Sequence, residues 1–203
     1  MKLYVCGSSW AKGVFEDTSW PMYLSELLNM ELVDTSESGI GNAAITRKTV
    51  EYFEKDTANL VVIQWSYPGR QEYRINNEWA YIIPKWPTKQ IEETHQPIYE
   101  KHGLTKKDWT TVYDFHKKYL MDDYGEKVYT DMYKTLMSSF LRDRGIPYVY
   151  NVVKELSEVL NKSSDVMNKR HHPNDKGHRI IAQYMYDELH KPRGNMSIMD
   201  NVK

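Results

Sequence analysis

The chain holds a single cysteine, Cys6, in 203 residues. One thiol excludes an internal disulfide and a Cys-x-x-Cys metal site. An excess of charge of one sign is also absent. The 27 basic and 28 acidic side chains leave a formal net charge of −1, so no electrostatic footprint for a nucleic-acid backbone is visible. No apolar run approaches the ~20 residues of a membrane-spanning helix. The start, MKLYVCGSSW, lacks the apolar stretch of a secretory leader. These absences predict a soluble, cytoplasmic protein with neither nucleic acid nor membrane as partner. Phenylalanine is scarce too: 4 Phe stand against 16 Tyr and 6 Trp, so most rings carry a polar handle that asks for a partner or for water.

What is present is an alternation of short apolar runs and amphipathic stretches. Lys2 to Cys6 reads as a strand that stops at Gly7. Ser19-Trp20-Pro21 opens a helix through Asn29: Ser19 suits the cap, Pro21 the first turn, and Tyr23, Leu24, Leu27 and Leu28 form one face. Glu31 to Asp34 is a second strand, and a helix from about Asn42 to Lys55 follows the break at Gly39 and Gly41. Leu60 to Trp65 is a continuous apolar run, as in a strand covered on both faces. Later, Asp131 to Arg144 predicts a helix, Ile146 to Tyr150 a strand and His178 to Leu189 a docked helix. Strand and helix in alternation predict an α/β fold with a parallel sheet and right-handed crossovers.

Between Pro68 and about Tyr124 the pattern lapses. Tyr73 to Ile98 has no sustained period and reads as a long loop or small excursion, followed by a helix over Leu104 to Leu120. The expected organisation is one domain over residues 1–190, with 71–124 an aromatic-rich insertion and 191–203 a polar tail. Trp79, Tyr81, Trp86, Tyr99 and Trp109 lie in or beside the insertion. They offer faces for a sugar ring or acyl chain, and equally rings to pack the insertion or a contact between copies in a homo-oligomer.

Two segments could carry chemistry. Gly7-Ser8-Ser9-Trp10 follows the first strand directly, and open α/β sheets bind ligands beyond the carboxyl ends of their strands. By itself, Ser9 reads more simply as a turn or capping serine. His171-His172-Pro173-Asn174-Asp175-Lys176-Gly177-His178 opens the last helix. A histidine in a Pro-anchored loop is positioned as a general base must be; Asn174 also reads as a helix cap. The paired histidines lack a third ligand at a usual spacing, so neither metal nor other cofactor is expected.

In this order, a Gly-Ser-Ser turn after the first strand and an HPNxxGH segment before the last helix resemble the SGNH hydrolases, also called the GDSL family. The resemblance implies a flavodoxin-like three-layer α/β/α sandwich with a parallel sheet and one long insertion after the third strand. It implies Ser9 as nucleophile, His172 as base and His178 as a packing residue. The GSSW start, the SWP helix opening and the IQWS…R block are similar to a phage-like subgroup. The family's oxyanion glycine corresponds to Gly39, with Gly41 as the alternative. The oxyanion Asn after the third strand is missing; that stretch reads Gln64 to Arg70, leaving Ser66, Asn42 or Arg70 to supply the donor. The family's Asp three residues before the His is Lys169 here. Trp10, Arg70, His171 and Asp165 are the neighbouring candidates for substrate contact or support. The resemblance therefore implies a serine esterase acting on a small-molecule or carbohydrate ester, such as an O-acetyl group. The alternative is an inactive binding or structural protein on the same fold, such as a phage particle component.

Overall fold

The computed structural model describes residues 1–13, 16–75, 77–82, 99–119, 123–160, 165–168 and 172–191. The polar tail beyond 191, Trp86, Lys169 and His171 lie outside the described residues. The strands are β1 (Lys2–Cys6), β2 (Glu31–Asp34), β3 (Leu60–Trp65), β4 (Gln71–Ile75), β5 (Glu78–Ile82) and β6 (Tyr148–Val152). The helices are α1 (Ser9–Lys12), α2 (Trp20–Leu28), α3 (Asn42–Phe53), α4 (Lys106–Tyr119), α5 (Asp123–Asp143), α6 (Val153–Leu160) and α7 (Asp175–His190).

Four strands form a parallel sheet in the order β2-β1-β3-β6. The alternation within β1 sets the layers. Leu3 and Val5 face one side with Val62 and Val149, against Trp10, Trp20 and Leu24 near the chain start and Leu156, Ile181 and Met185 of α6 and α7. Tyr4 and Cys6 face the other side with Val61, Ile63 and Trp65, under Ala44 and Ile45 of α3 and Met137 and Leu141 of α5. A parallel sheet buried on both faces is the expected α/β sandwich. Cys6 is the small buried filler of this second layer, and burial raises its thiol pKa.

Several elements depart from the sequence reading. The irregular stretch after Pro68 begins with an antiparallel hairpin, β4 with β5, in which Ile75 pairs with Glu78. In the turn that follows, Asn77 takes φ 65°, a conformation Asn tolerates. Trp109, Tyr113 and Tyr99 pack this hairpin through Ala80 and Tyr73. Strand β6 begins two residues later than expected. Gly145 leaves α5 at φ 65° and the Pro147 carbonyl accepts from the Val61 amide at 3.0 Å, but proline has no N–H to extend the ladder. Helix α6 was not anticipated, although Val153, Leu156 and Leu160 bury one face of it. Helix α5 starts eight residues before the expected Asp131 (131 − 123 = 8).

Among the described residues, no helix is long and apolar enough to cross a membrane.

Candidate active site

In a parallel sheet the loops that follow the strands share one edge. Here that edge collects residues 7–8 after β1, 35–41 after β2 and 66–70 after β3. The first turn is tight. A Cβ on Gly7 would lie 2.8 Å from the Cβ atoms of Ala11 and Gln64, so only glycine lets β1 pass this close to α1. Gln64 is a polar residue inside the apolar run of β3 and is fully buried. Its Oε1 accepts the Ser8 amide at 3.2 Å, with the Ser8 hydroxyl at 3.4 Å. Ser8 is thereby fixed, and Ser9 opens α1 with an amide that has no partner among the described residues.

The loop after β2 leans on the same turn: the Glu37 amide donates to the Gly7 carbonyl at 3.0 Å. Gly39, two residues on, has φ 84°, the left-handed region that favours glycine. Gly41 is glycine for a different reason. A Cβ there would lie 2.2 Å from the Arg70 carbonyl oxygen, so Gly41 serves close packing at the start of α3.

Asn42 is buried at the first turn of α3. Its Oδ1 accepts the Ser66 amide at 2.8 Å, and its Nδ2 donates to Thr130 Oγ1 at 3.2 Å. Because a backbone N–H can only donate, this pairing fixes which end of the carboxamide is which. The Ser66 amide is therefore committed to Asn42, while its Oγ is buried without a partner among the described residues.

The histidine arrives from the far end of the chain. Asn174 caps α7 by accepting the Gly177 amide at 3.0 Å, and its Nδ2 donates to the Asp165 carbonyl at 2.8 Å. A Cβ on Gly177 would lie 2.4 Å from the Val166 carbonyl oxygen, so the loop and the helix start are pressed together. The Asn168 amide donates to the His172 carbonyl at 2.8 Å, and the His172 amide reaches Asn168 Oδ1 at 3.2 Å. Held in this way, His172 Nε2 lies 2.9 Å from Ser9 Oγ, across 163 positions of sequence.

His178 sits differently. It is buried, and its Nδ1 accepts the Trp20 amide at 3.2 Å, tying α7 to the start of α2. Burial is the main cause that lowers it from the ordinary 6.5 to about 4, so it is neutral at pH 7. Ser19 stands at the α2 cap position but makes no side-chain cap bond; the Trp20 amide that begins the helix is satisfied by His178 instead.

The remaining expected residues divide. Trp10 is buried in the core layer behind α1, a support rather than a rim residue. Asp165 is exposed and pairs with Lys176 at 2.7 Å. Arg70 stands beside the Ile40 carbonyl. Of the aromatic residues in the insertion, Trp109 and Tyr99 are core of the satellite cluster and Tyr81 donates to Glu37 Oε2 at 3.3 Å. Trp79 is partly exposed beneath the Arg47 guanidinium at 4.1 Å. Packing therefore accounts for most of these rings. Gln64 and Asn168, which hold the two halves of the pair, are not among the residues that the sequence points to. A glutamine in a strand buried on both faces was the available signal, since a buried amide needs a partner.

No family model matches the chain, and no curated protein matches it. Solved structures do. A psychrotrophic esterase from a Pseudoalteromonas species is 16% identical, with 93% of this chain and 96% of that one covered and a TM-score of 0.48. A member of the lipolytic protein G-D-S-L family from Veillonella parvula is 12% identical, with 95% and 100% covered and a TM-score of 0.47. An acetylxylan esterase from Geobacillus stearothermophilus, in a catalytic-mutant form, is 14% identical, with 94% of each chain covered and a TM-score of 0.46. The phage-like subgroup has no counterpart among these three. At such identity, function has to be argued from the site.

Proposed function

We propose that this protein is a serine hydrolase that cleaves an ester, with Ser9 as nucleophile and His172 as general base. The 2.9 Å approach of His172 Nε2 to Ser9 Oγ supports the reading most directly. With the ring proton on Nδ1, Nε2 accepts the Ser9 hydroxyl hydrogen. Oγ attacks the acyl carbon as its proton passes to Nε2, and the resulting imidazolium then protonates the departing alcohol. Water, deprotonated by the same nitrogen, releases the acid and restores the hydroxyl. The amides of Ser9 and Gly39 and the second hydrogen of Asn42 Nδ2 are the donors assigned to the oxyanion. Asn42 then takes the part of the oxyanion Asn that is missing after β3, reaching it from the start of α3. The substrate is a small-acyl ester, such as an O-acetyl group on a carbohydrate.

The test is hydrolysis of 4-nitrophenyl acetate by native protein, Ser9→Ala and His172→Ala. Native kcat/KM should exceed both variants by about 10³-fold or more, and the two losses should not multiply in the double variant. Equal rates in all three would overturn the reading.

A further inference from the structure

The same sheet edge holds a cation that the proposed reaction does not use. Arg70, the residue before β4, is only partly exposed. Its Nη1 lies 3.5 Å from the Ile40 carbonyl, and the guanidinium is 5.5 Å from the centre of the Tyr67 ring. Among the described residues, no carboxylate pairs with it. Arg47 shows the contrast: also partly buried, it is neutralised by Glu51 and by Glu72, each at 3.0 Å. Burial lowers Arg70 to about 10, so it remains charged at neutral pH. A guanidinium taken from water without a counter-charge is unfavourable, and an arriving anion offsets that cost.

Its place in the fold is fixed. The Arg70 carbonyl is wedged against Gly41, directly beside Asn42. The Ile40 carbonyl that its head approaches belongs to the residue after Gly39. The guanidinium therefore borders the groups assigned to the oxyanion, while the half-exposed Tyr67 ring forms the outer rim. The planar fork of a guanidinium suits a carboxylate, which it can hold through two parallel hydrogen bonds.

We propose that Arg70 is an anion subsite that binds a carboxylate carried by the ester substrate, so that the enzyme selects anionic esters over their neutral twins. This rests on the esterase reading. Two matched pairs place the carboxylate on either side of the scissile bond: 4-acetoxybenzoate against 4-acetoxybenzamide, and 4-nitrophenyl hemiglutarate against 4-nitrophenyl valerate. In the native protein at least one pair should show a kcat/KM ratio of about ten or more in favour of the anion. In Arg70→Gln that ratio should fall to near one, whatever happens to the rate both esters share; Arg70→Lys should retain part of it. A ratio near one in both native pairs, or one that survives Arg70→Gln, overturns the proposal. Binding to Ser9→Ala separates the subsite from turnover. By NMR titration, 4-hydroxybenzoate or glutarate should bind at least tenfold more weakly once Arg70→Gln is added, and 4-hydroxybenzamide should not distinguish the two backgrounds. Failure of both anions to bind overturns the subsite even in an active esterase. Arg70-dependent anion binding in a protein without hydrolysis upholds the subsite and removes the esterase reading.

Discussion

Gln64 Oε1 receives the Ser8 amide at 3.2 Å from inside the third strand, where both neighbouring layers are apolar. This one carboxamide oxygen anchors the turn that presents Ser9. Gln64→Leu leaves buried donors at Ser8 without an acceptor, which costs on the order of 1–3 kcal/mol. Urea unfolding should show that loss, and 4-nitrophenyl acetate hydrolysis should fall further than the remaining folded fraction explains. Unchanged unfolding would mean that the Gln64 bond does not hold the turn.

Gly177 keeps the histidine loop against α7. Gly177→Ala places a methyl group 2.4 Å from a backbone oxygen that cannot rotate away. The loop must shift, at a cost of about 1–3 kcal/mol. A lowered melting temperature, together with slower reaction of Ser9, is the expected outcome. A native melting temperature would show that residues 165–168 yield freely.

Asn42 separates structure from chemistry. Asn42→Asp keeps an acceptor for the Ser66 amide and can accept from the Thr130 hydroxyl, but it no longer donates to an oxyanion. Losing one such donor typically costs about 10²-fold or more in kcat, with the fold retained. Steady-state kinetics beside a circular-dichroism melt will check this. Activity within twofold of native would assign the oxyanion to the backbone amides alone.

His178 makes a pH prediction with a definite sign. Its folded value, about 4, is below the ordinary 6.5, so between these values the unfolded chain binds a proton that the folded one refuses. Its contribution is fully present above pH 6.5 and is lost progressively as pH falls toward 4, by on the order of 3 kcal/mol at most. His178→Asn can still accept the Trp20 amide and does not titrate. Unfolding free energies of native and variant from pH 4 to 7 should converge toward the acid end. Parallel curves would show that burial does not keep His178 neutral.

The sequence shows the frame because burial on both faces leaves apolar runs in β1 and β3, around Leu3 and Val62, while the edge strand β2 shows as Leu32 and Val33 between charged ends. Ser9 and His172 were legible through the order of their segments. The hairpin was not, since Gln71–Ile75 and Glu78–Ile82 mix charge and aromatics with only partial alternation, and their packing on Trp109 lies far along the chain. Asn42 was legible as a polar residue opening a helix, but its grip on Ser66 comes from two loops meeting at the sheet edge. Arg70 stood out in the sequence as a donor or substrate contact; that no carboxylate pairs with it among the described residues shows only once the loops are folded together.

Covalent labelling by a fluorophosphonate tests whether His172 activates Ser9. Native protein should gain one adduct in its intact mass, mapped to the peptide carrying Ser9. Ser9→Ala should gain none there, and His172→Ala should react at least a hundredfold more slowly. A native protein that stays unmodified, or one that His172→Ala matches in rate, would mean that His172 does not activate Ser9.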